Sequence, residues 1–296
     1  MLVPLASLVF EGRRKATDRF VTVLVVTAFM IAVIPLVSIL STVIAKGAPV
    51  LSAEFFTTSM RNVVGEGGGI QHAMLGTLII TGFATLISVP IGLFAAIYLI
   101  EYSDGGPTAR GLRFLTDVMT GIPSIVAGLF AYALFVLIFG EGIRMGLGGA
   151  VALSVLMIPV VIRSSEEMLK LVPNELREAS WALGVSRWRT IVKVVLPTAL
   201  AGIVTGVTLA IARVIGETAP LLIIAGMTDS VNTNPLDGRM ATLPVFAYSA
   251  LMNPGVPPQP SIDRAWGAAL TLLIIVMLLN LVARGISYLF SPAQRR

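Results

Sequence analysis

The stretch RSSEEMLKLVPNELREASWALGVSRWRTIVKVVLP, Arg163–Pro197, is a polar interval between two long apolar runs. Its pattern is helical, with Pro173 and Gly184 as breaks. Pro173 and Asn174 start a helix over NELREASWAL, because proline fits the first turn, where its missing N–H is no loss. In that helix Leu176, Ala179 and Leu183 share one side, while Glu175, Arg177 and Glu178 decorate the rest. Gly184 then turns the chain into a second short helix, VSRWRTI. Two short helices meeting at a glycine, hung between apolar runs, set the frame for reading the other segments.

Those runs recur along the chain. Of 296 residues 56% are hydrophobic and 12% charged, and the mean hydropathy is +0.90; a single water-soluble core cannot bury that balance. Crossing ~30 Å of hydrocarbon at 1.5 Å per residue takes about 20 apolar residues. The sequence predicts an all-α, polytopic membrane protein with six spans. They run over Phe20–Ile44, Met74–Ile100, about Asp117–Phe139, about Met145–Ile162, from near Val194 into AIARVIGETAPLL (Ala210–Leu222), and Trp266–Tyr288. The turn GEGIRMG makes a tight hairpin of the third and fourth. Trp266 and Tyr288 place an aromatic at each end of the last span, at headgroup level.

Basic residues orient the spans. With both termini in the cytoplasm, all of the 21 lysines and arginines fall inside except Lys46, Arg61, Arg144, Arg239 and Arg264 outside, and Arg213 within a span. The net charge of +5 therefore reflects topology and not nucleic-acid binding. The apolar MLVPLASLVF precedes its basic cluster and is expected to be an uncleaved, interfacial segment. Residues 1–19 form a cytoplasmic segment, 20–290 one transmembrane domain with a cytoplasmic loop at about 164–197, and 291–296 a cytoplasmic tail.

Several chemistries are excluded. There is no cysteine and one histidine, His72, so a metal site is not expected and His72 is read as interfacial. The glycines of GEGGGIQHAM, Gly65–Met74, are read as a mobile outside loop: no Gly-Lys pair occurs in the chain, so no Walker loop hydrolyses a nucleotide. An intramembrane enzyme needs a nucleophile with a base, and Asp117 and His72 are expected on opposite sides. The outside segment from about Met227 to Ala265 is punctuated by NTNPLDG and NPGVPPQP. Between them ATLPVFAYSALM is too short to cross and is expected on the membrane surface or against an outside partner.

One cation lies where it is costly. In AIARVIGETAPLL, Ala210–Leu222, Arg213 is deep in the fifth span, with Glu217 four residues later on the same face of a helix. An arginine at a span's centre costs about 2.5–3.5 kcal/mol on insertion scales. Gly216 and Pro220 weaken the helix there, which predicts a broken helix facing protein or water. The planar donor fork of arginine suits tetrahedral oxyanions. Glu217 either holds that rotamer, repels a misplaced anion, or forms a purely structural pair with it. A receptor or scaffold would not need Arg213 buried at all.

Two resemblances sharpen this reading. Glu178, Ala179, Gly184, Leu196 and Pro197 match the EAA loop of ABC importer permeases at its spacing, Ser180 replacing the second alanine and Val194 the isoleucine. In that family a short helix of the loop sits in a groove of a separate ATPase. Further, LPTALAGIVTGVTLAIARVIGETAPLLIIAG, GIPSIVAGLFAY and GGGIQHAMLGTLIIT make roughly Glu54–Leu281 resemble the permeases of phosphate-specific (Pst) ABC importers. GETAPLL resembles the PstA-like branch, since the PstC-like partner has methionine after GET. The resemblance implies a type I (MetI-like) importer fold and half of a phosphate pathway in a bacterial inner membrane. It implies a pathway role for Arg213 and Glu217, and matches Arg163, which otherwise snorkels to headgroups; Thr218 is added by adjacency. It also implies a PstC-like permease as heterodimer partner, two copies of an ATPase carrying the ATP and Mg, and an extracytoplasmic phosphate-binding protein. No cofactor is expected in this chain. A related importer of sulfate or molybdate is the nearest alternative.

Overall fold

The structure, a computed structural model, describes residues 12–290; the readings of the MLVPLASLVF segment and of the 291–296 tail fall outside those residues. Among the described residues every regular element is a helix. Helix α1 is Gly12–Gly47, followed by the short α2, Ala53–Thr57, and by α3, Gln71–Ile97, which a π turn prolongs to Tyr102. Then come α4, Pro107–Gly121, α5, Ser124–Phe139, α6, Gly146–Lys170, α7, Asn174–Ala182, and α8, Arg187–Thr190. A π turn leads into α9, Leu196–Val214, followed by α10, Ala219–Ile224, α11, Leu243–Met252, and α12, Gln259–Phe290.

Five helical stretches are long and apolar enough to cross a bilayer: Thr17–Val50, Gln71–Tyr102, Gly146–Lys170, Arg187–Val214 and Gln259–Tyr288. The sixth is not the straight span expected over Asp117–Phe139. Helices α4 and α5 meet at a bend of 109°. Pro123 forces the residue before it out of helical geometry, and Ile122 accordingly sits at φ −70°, ψ 126°. Helix α4 is amphipathic, burying Ala109 and Thr116 while Phe114, Leu115 and Val118 stay exposed. Only α4 and α5 together make a sixth crossing. The fourth span also departs from its expected end at Ile162: α6 continues to Lys170 and carries the first polar residues of the Arg163–Pro197 interval as helix.

Helix α6 is the hub, packed against α3, α9, α5, α10 and α4. Lipid offers no hydrophobic drive between apolar helices, so close backbone approach has to supply the attraction. The α6 sequence permits it with buried Gly146, Gly148, Gly149, Ala150, Ala152 and Ser154. Ser154 Oγ donates 2.7 Å to its own helix at Ala150 O. On α9 the pair Gly202 and Gly206 lies over Met168 and Ser164 of α6, a small-xxx-small seam. By contrast the membrane window of α1 has no buried residue and α1 packs chiefly along α12, where Lys46 lies 5.0 Å over the Trp266 ring.

Two segments expected on the outside are more firmly held than the sequence indicates. Arg264 of α12 donates 2.8 Å bonds to Gly65 O and Gly67 O, so the glycine loop is anchored and not free. His72 is buried in the first turn of α3, edge-on to Phe246 at 5.3 Å, and is not interfacial. The first half of the apolar ATLPVFAYSALM is packed inside: Met240–Phe246 are buried, and Leu243 N donates 2.8 Å to Thr77 Oγ1 of α3, while Tyr248, Leu251 and Met252 stay exposed. Gly76 makes room, since a Cβ there would run into Ala241 O. NTNPLDG forms the expected turns, with Asn232 Nδ2 donating to Asp237 O (2.7 Å) and Arg239 O (3.0 Å).

Helix α10 owes its place to Gly128 of α5, where an added Cβ would stand 2.6 Å from Pro220 Cα. Gly128→Ala is expected to destabilise the subunit by about 1–3 kcal/mol through overpacking against immobile backbone. Thermal unfolding in detergent checks this, with Gly111→Ala as the neutral control because nothing lies within 4 Å of a Cβ at that position.

Candidate transport site and coupling platform

The polar interval folds as its sequence indicates. Pro173 precedes α7, and α7 ends in a Schellman cap: Val185 N donates to Ser180 O (3.2 Å) and Gly184 N to Trp181 O (2.9 Å), with Gly184 at φ +73°. Only glycine takes that left-handed turn without strain. Ser180 Oγ and Thr190 Oγ1, 2.8 Å apart and both buried, tie α7 to α8. Ser180 therefore faces inward. Glu178 and Ala179 are exposed, Leu196 is half-buried and Pro197 exposed in the first turn of α9.

The burial of this unit inverts the expectation for α7. Leu176 (41% exposed), Trp181 (44%) and Leu183 (83%) are left open, and Arg177, assigned to the solvated side, is buried. The reason is a partner 76 residues away in sequence. Arg177 Nε and Nη2 donate to Glu101 Oε1 at 3.0 and 2.7 Å, in the π turn that ends α3. Its remaining donors meet Val172 O (2.6 Å) and Leu169 O (3.0 Å), the last carbonyls of α6 and its exit. Arg187 of α8 lies 5.2 Å over the Tyr102 ring, a second tie to the same end of α3. A platform with an apolar outer face is thus bolted to α3 and α6 through one guanidinium.

The fifth span breaks where expected. Helix α9 stops at Val214, Glu217 N donates 3.1 Å to Val214 O, and α10 restarts after Thr218 with Pro220 in its first turn. Arg213 is exposed on this chain, Glu217 and Thr218 are half-buried, and Val214 and Ile215 are buried behind them. Arg213 and Glu217 form no ion pair. Because the helix ends one residue past Arg213, the i,i+4 geometry that pairs such residues is lost. The chain itself leaves Arg213 without a hydrogen bond or ion pair among the described residues.

Arg163 is placed elsewhere. It does not reach out alone to headgroups but pairs with Asp117 of α4. Beside it Glu166 Oε1 accepts from Arg113 (3.2 Å) and Lys170 (3.0 Å). These five charges, with Leu99, Thr116 and Ile162, line a cavity of about 320 Å³ at the same end of the bundle as α7. No hydrogen bond or ion pair joins this cluster to Arg213 or Glu217 among the described residues. Glu101 and the buried role of Arg177 escaped the sequence reading. The available signal was a carboxylate closing the apolar run AAIYLIEY.

A hub helix surrounded by bent and broken helices, with a two-helix platform at one end, defines a permease of an ABC importer. The chain belongs to the binding-protein-dependent transport system inner membrane components, whose family pattern matches residues 88–296. Within that class it belongs with the PstA phosphate transport permeases. It is 45% identical over 286 residues to phosphate transport system permease protein PstA 1 of Mycobacterium tuberculosis, covering 96% of this chain and 91% of that one. It is 40% identical over 271 residues to PstA of Pasteurella multocida, covering 92% and 94%. These relatives are permeases, not enzymes. The fold is also that of the inward-facing MetNI methionine ABC transporter (TM-score 0.60, 20% identity, 82% of this chain and 100% of that one). A bacterial alginate ABC transporter complexed with a pentasaccharide-bound periplasmic protein shares it as well (TM-score 0.63, 12% identity, 92% and 94%).

Breaking a buried ion pair from one side costs about 3–5 kcal/mol, because the other charge is left uncompensated. Glu101→Gln is therefore expected to release α7: hydrogen exchange over 174–182 should accelerate sharply while α6 over 146–162 keeps its protection.

Proposed function

We propose that this chain is the PstA-type permease subunit of an ATP-driven inorganic phosphate importer. It forms half of the translocation pathway and takes its energy from a separate ATPase through α7 and α8. The family's name requires a binding protein outside, and the open apolar face of Leu176, Trp181 and Leu183 suits the groove of an ATPase below. The platform end is then cytoplasmic, both chain termini lie on that side, and the membrane is the bacterial inner membrane. A PstC-like homologue completes the pore, two ATPase copies hold the ATP and Mg, and this chain holds no cofactor.

The observation that carries the reading is Arg213: a guanidinium at a helix break in the middle of a span, exposed on the single chain and given no partner by it. Unwound backbone at membrane depth is tolerated where it lines a pathway. A passing oxyanion would find there a planar donor fork that offsets its charge without a deep well, which would block release. Glu217 and Thr218, at the restart of α10, border the same opening. Arg163, with its Asp117 partner, stands nearer the inner mouth and acts on the anion as it leaves. ATP-driven closure of the ATPases pulls on α7; the bolt at Glu101 passes the movement to α3 and α6, and the two permeases rock between outward and inward states.

Reconstituted with its partners, Arg213→Gln is expected to lower phosphate uptake by about tenfold or more, in line with the ~1.5–3 kcal/mol of hydrogen bonds to a charged group. Arg213→Lys, keeping charge but not the fork, should fall between. Unchanged uptake by an assembled Arg213→Gln transporter would remove Arg213 from the pathway. Sulfate competing equally with radiolabelled phosphate would instead favour a broader oxyanion importer. Gly184→Leu, strained at its positive φ, should leave membrane insertion intact and uncouple ATP hydrolysis from uptake.

A further inference from the structure

A second pair of cations stands at the opposite end of the bundle. Arg144 lies in the turn between α5 and α6, and Arg239 lies 95 residues on in the loop before α11. Helix α6 alone, at 25 residues, separates that turn from the platform by about 37 Å. Both arginines belong to the outside set that the charge asymmetry leaves sparse.

Their backbones are fixed by the same short helix. Met145 N, next to Arg144, donates 3.0 Å to Ile224 O, and Met240 N, next to Arg239, donates 3.0 Å to Ala225 O. Leu147 N to Pro235 O, 2.7 Å, stitches the two loops to each other. The side chains then converge over Gly226: a Cβ there would stand 3.1 Å from Arg144 Cδ and 3.4 Å from Arg239 Cδ and Cγ. Gly226 has φ +74°, so the absent side chain and the turn are required together.

Such proximity of like charges is unfavourable unless an anion is shared, yet no carboxylate of a described residue lies within 4.0 Å of either guanidinium. Glu141, Asp229 and Asp237, the acids nearest in sequence, form no ion pair with either arginine. Arg144 spends one donor on Leu222 O at 3.1 Å. Its other N–H groups and all those of Arg239 side chain are unclaimed among the described residues. From Gly226 the chain reaches Thr218 and Glu217 through α10, six residues and about 9 Å long.

We infer that Arg144 and Arg239 form an outer receiving site for a tetrahedral oxyanion, one short helix above the break at Arg213. This rests on the phosphate-permease reading and adds a station to it. An anion freed by the binding protein would be held by two forks before it moves down to a single one. Two cations at a pore mouth, one half-buried and one exposed, also raise the local anion concentration.

The test uses the complete transporter in liposomes, with radiolabelled phosphate on its binding protein. Arg239→Gln is the cleaner variant, since the Arg239 side chain makes no bond among the described residues. Expected is a maximal uptake rate lowered about tenfold, with ATPase stimulation by the binding protein retained, and partial rescue by Arg239→Lys. Wild-type uptake should also fall with ionic strength more steeply than that of Arg144→Gln/Arg239→Gln. Unchanged uptake and salt dependence would overturn the site. So would a raised half-saturating concentration of binding protein at an unchanged maximal rate, which would make the arginines contacts for that protein's carboxylates. If the wild type itself moved no phosphate, the permease reading would fail first, a result separate from any comparison of variants.

Discussion

Arg177 and Glu101 are taken out of water together, and the arrangement of the coupling platform hangs on that. A buried ion pair adds little net stability over a well-packed apolar substitute. What it supplies is uniqueness: any other placement of α7 would strand a carboxylate at the end of α3 and a guanidinium beneath α6. The other Arg177 donors make the same point. They occupy the carbonyls of Leu169 and Val172, orphaned where α6 ends, so one side chain joins three elements. Any load on the exposed Leu176, Trp181 and Leu183 is therefore borne by α3 and α6 directly, without a flexible linker between.

The membrane half follows a different rule. Apart from the Arg113–Glu166 and Arg163–Asp117 pairs that tie α4 to α6, α6 gathers its neighbours because glycine, alanine and serine let backbones come close. The places where helices fail are equally tied to this packing. Pro123 ends one helix and Gly216 and Pro220 interrupt another, and the two failures meet where Gly128 lies against Pro220. Rigid packing behind the break holds Val214 and Ile215 inside, and Arg213 is turned outward by their burial. A site that binds an anion only in passing needs this combination of fixed backbone and an unclaimed cation.

Charge pairing is concentrated in one place. Beside the platform Arg113, Arg163 and Lys170 are offset by Asp117 and Glu166 around one cavity. Arg144 and Arg239 at the other end have no ion pair among the described residues, and neither have Arg110, Arg189 and Lys193 near the platform. Pairing therefore marks the cavity beside α6 and not one whole end of the bundle.

Much of this was legible in the chain. Runs of about 20 apolar residues, the helix–glycine–helix interval, and a proline after Arg213 are local properties, governed by bilayer thickness and backbone sterics, and the sequence by itself determined five of the spans, the platform's two helices and the break. Tertiary structure decided the rest. The bend at Ile122–Pro123 is local in cause, but its hydropathy is continuous, so composition hid it. The burial of His72 and of ATLPVF, the anchoring of the glycine loop by Arg264 and the inward turn of Arg177 depend on partners 76 to 199 residues away, whereas the separation of Arg213 from Glu217 follows from the break itself. Periodicity tells which side chains share a face of one helix; which face is covered, and by what, is settled only when the helices pack.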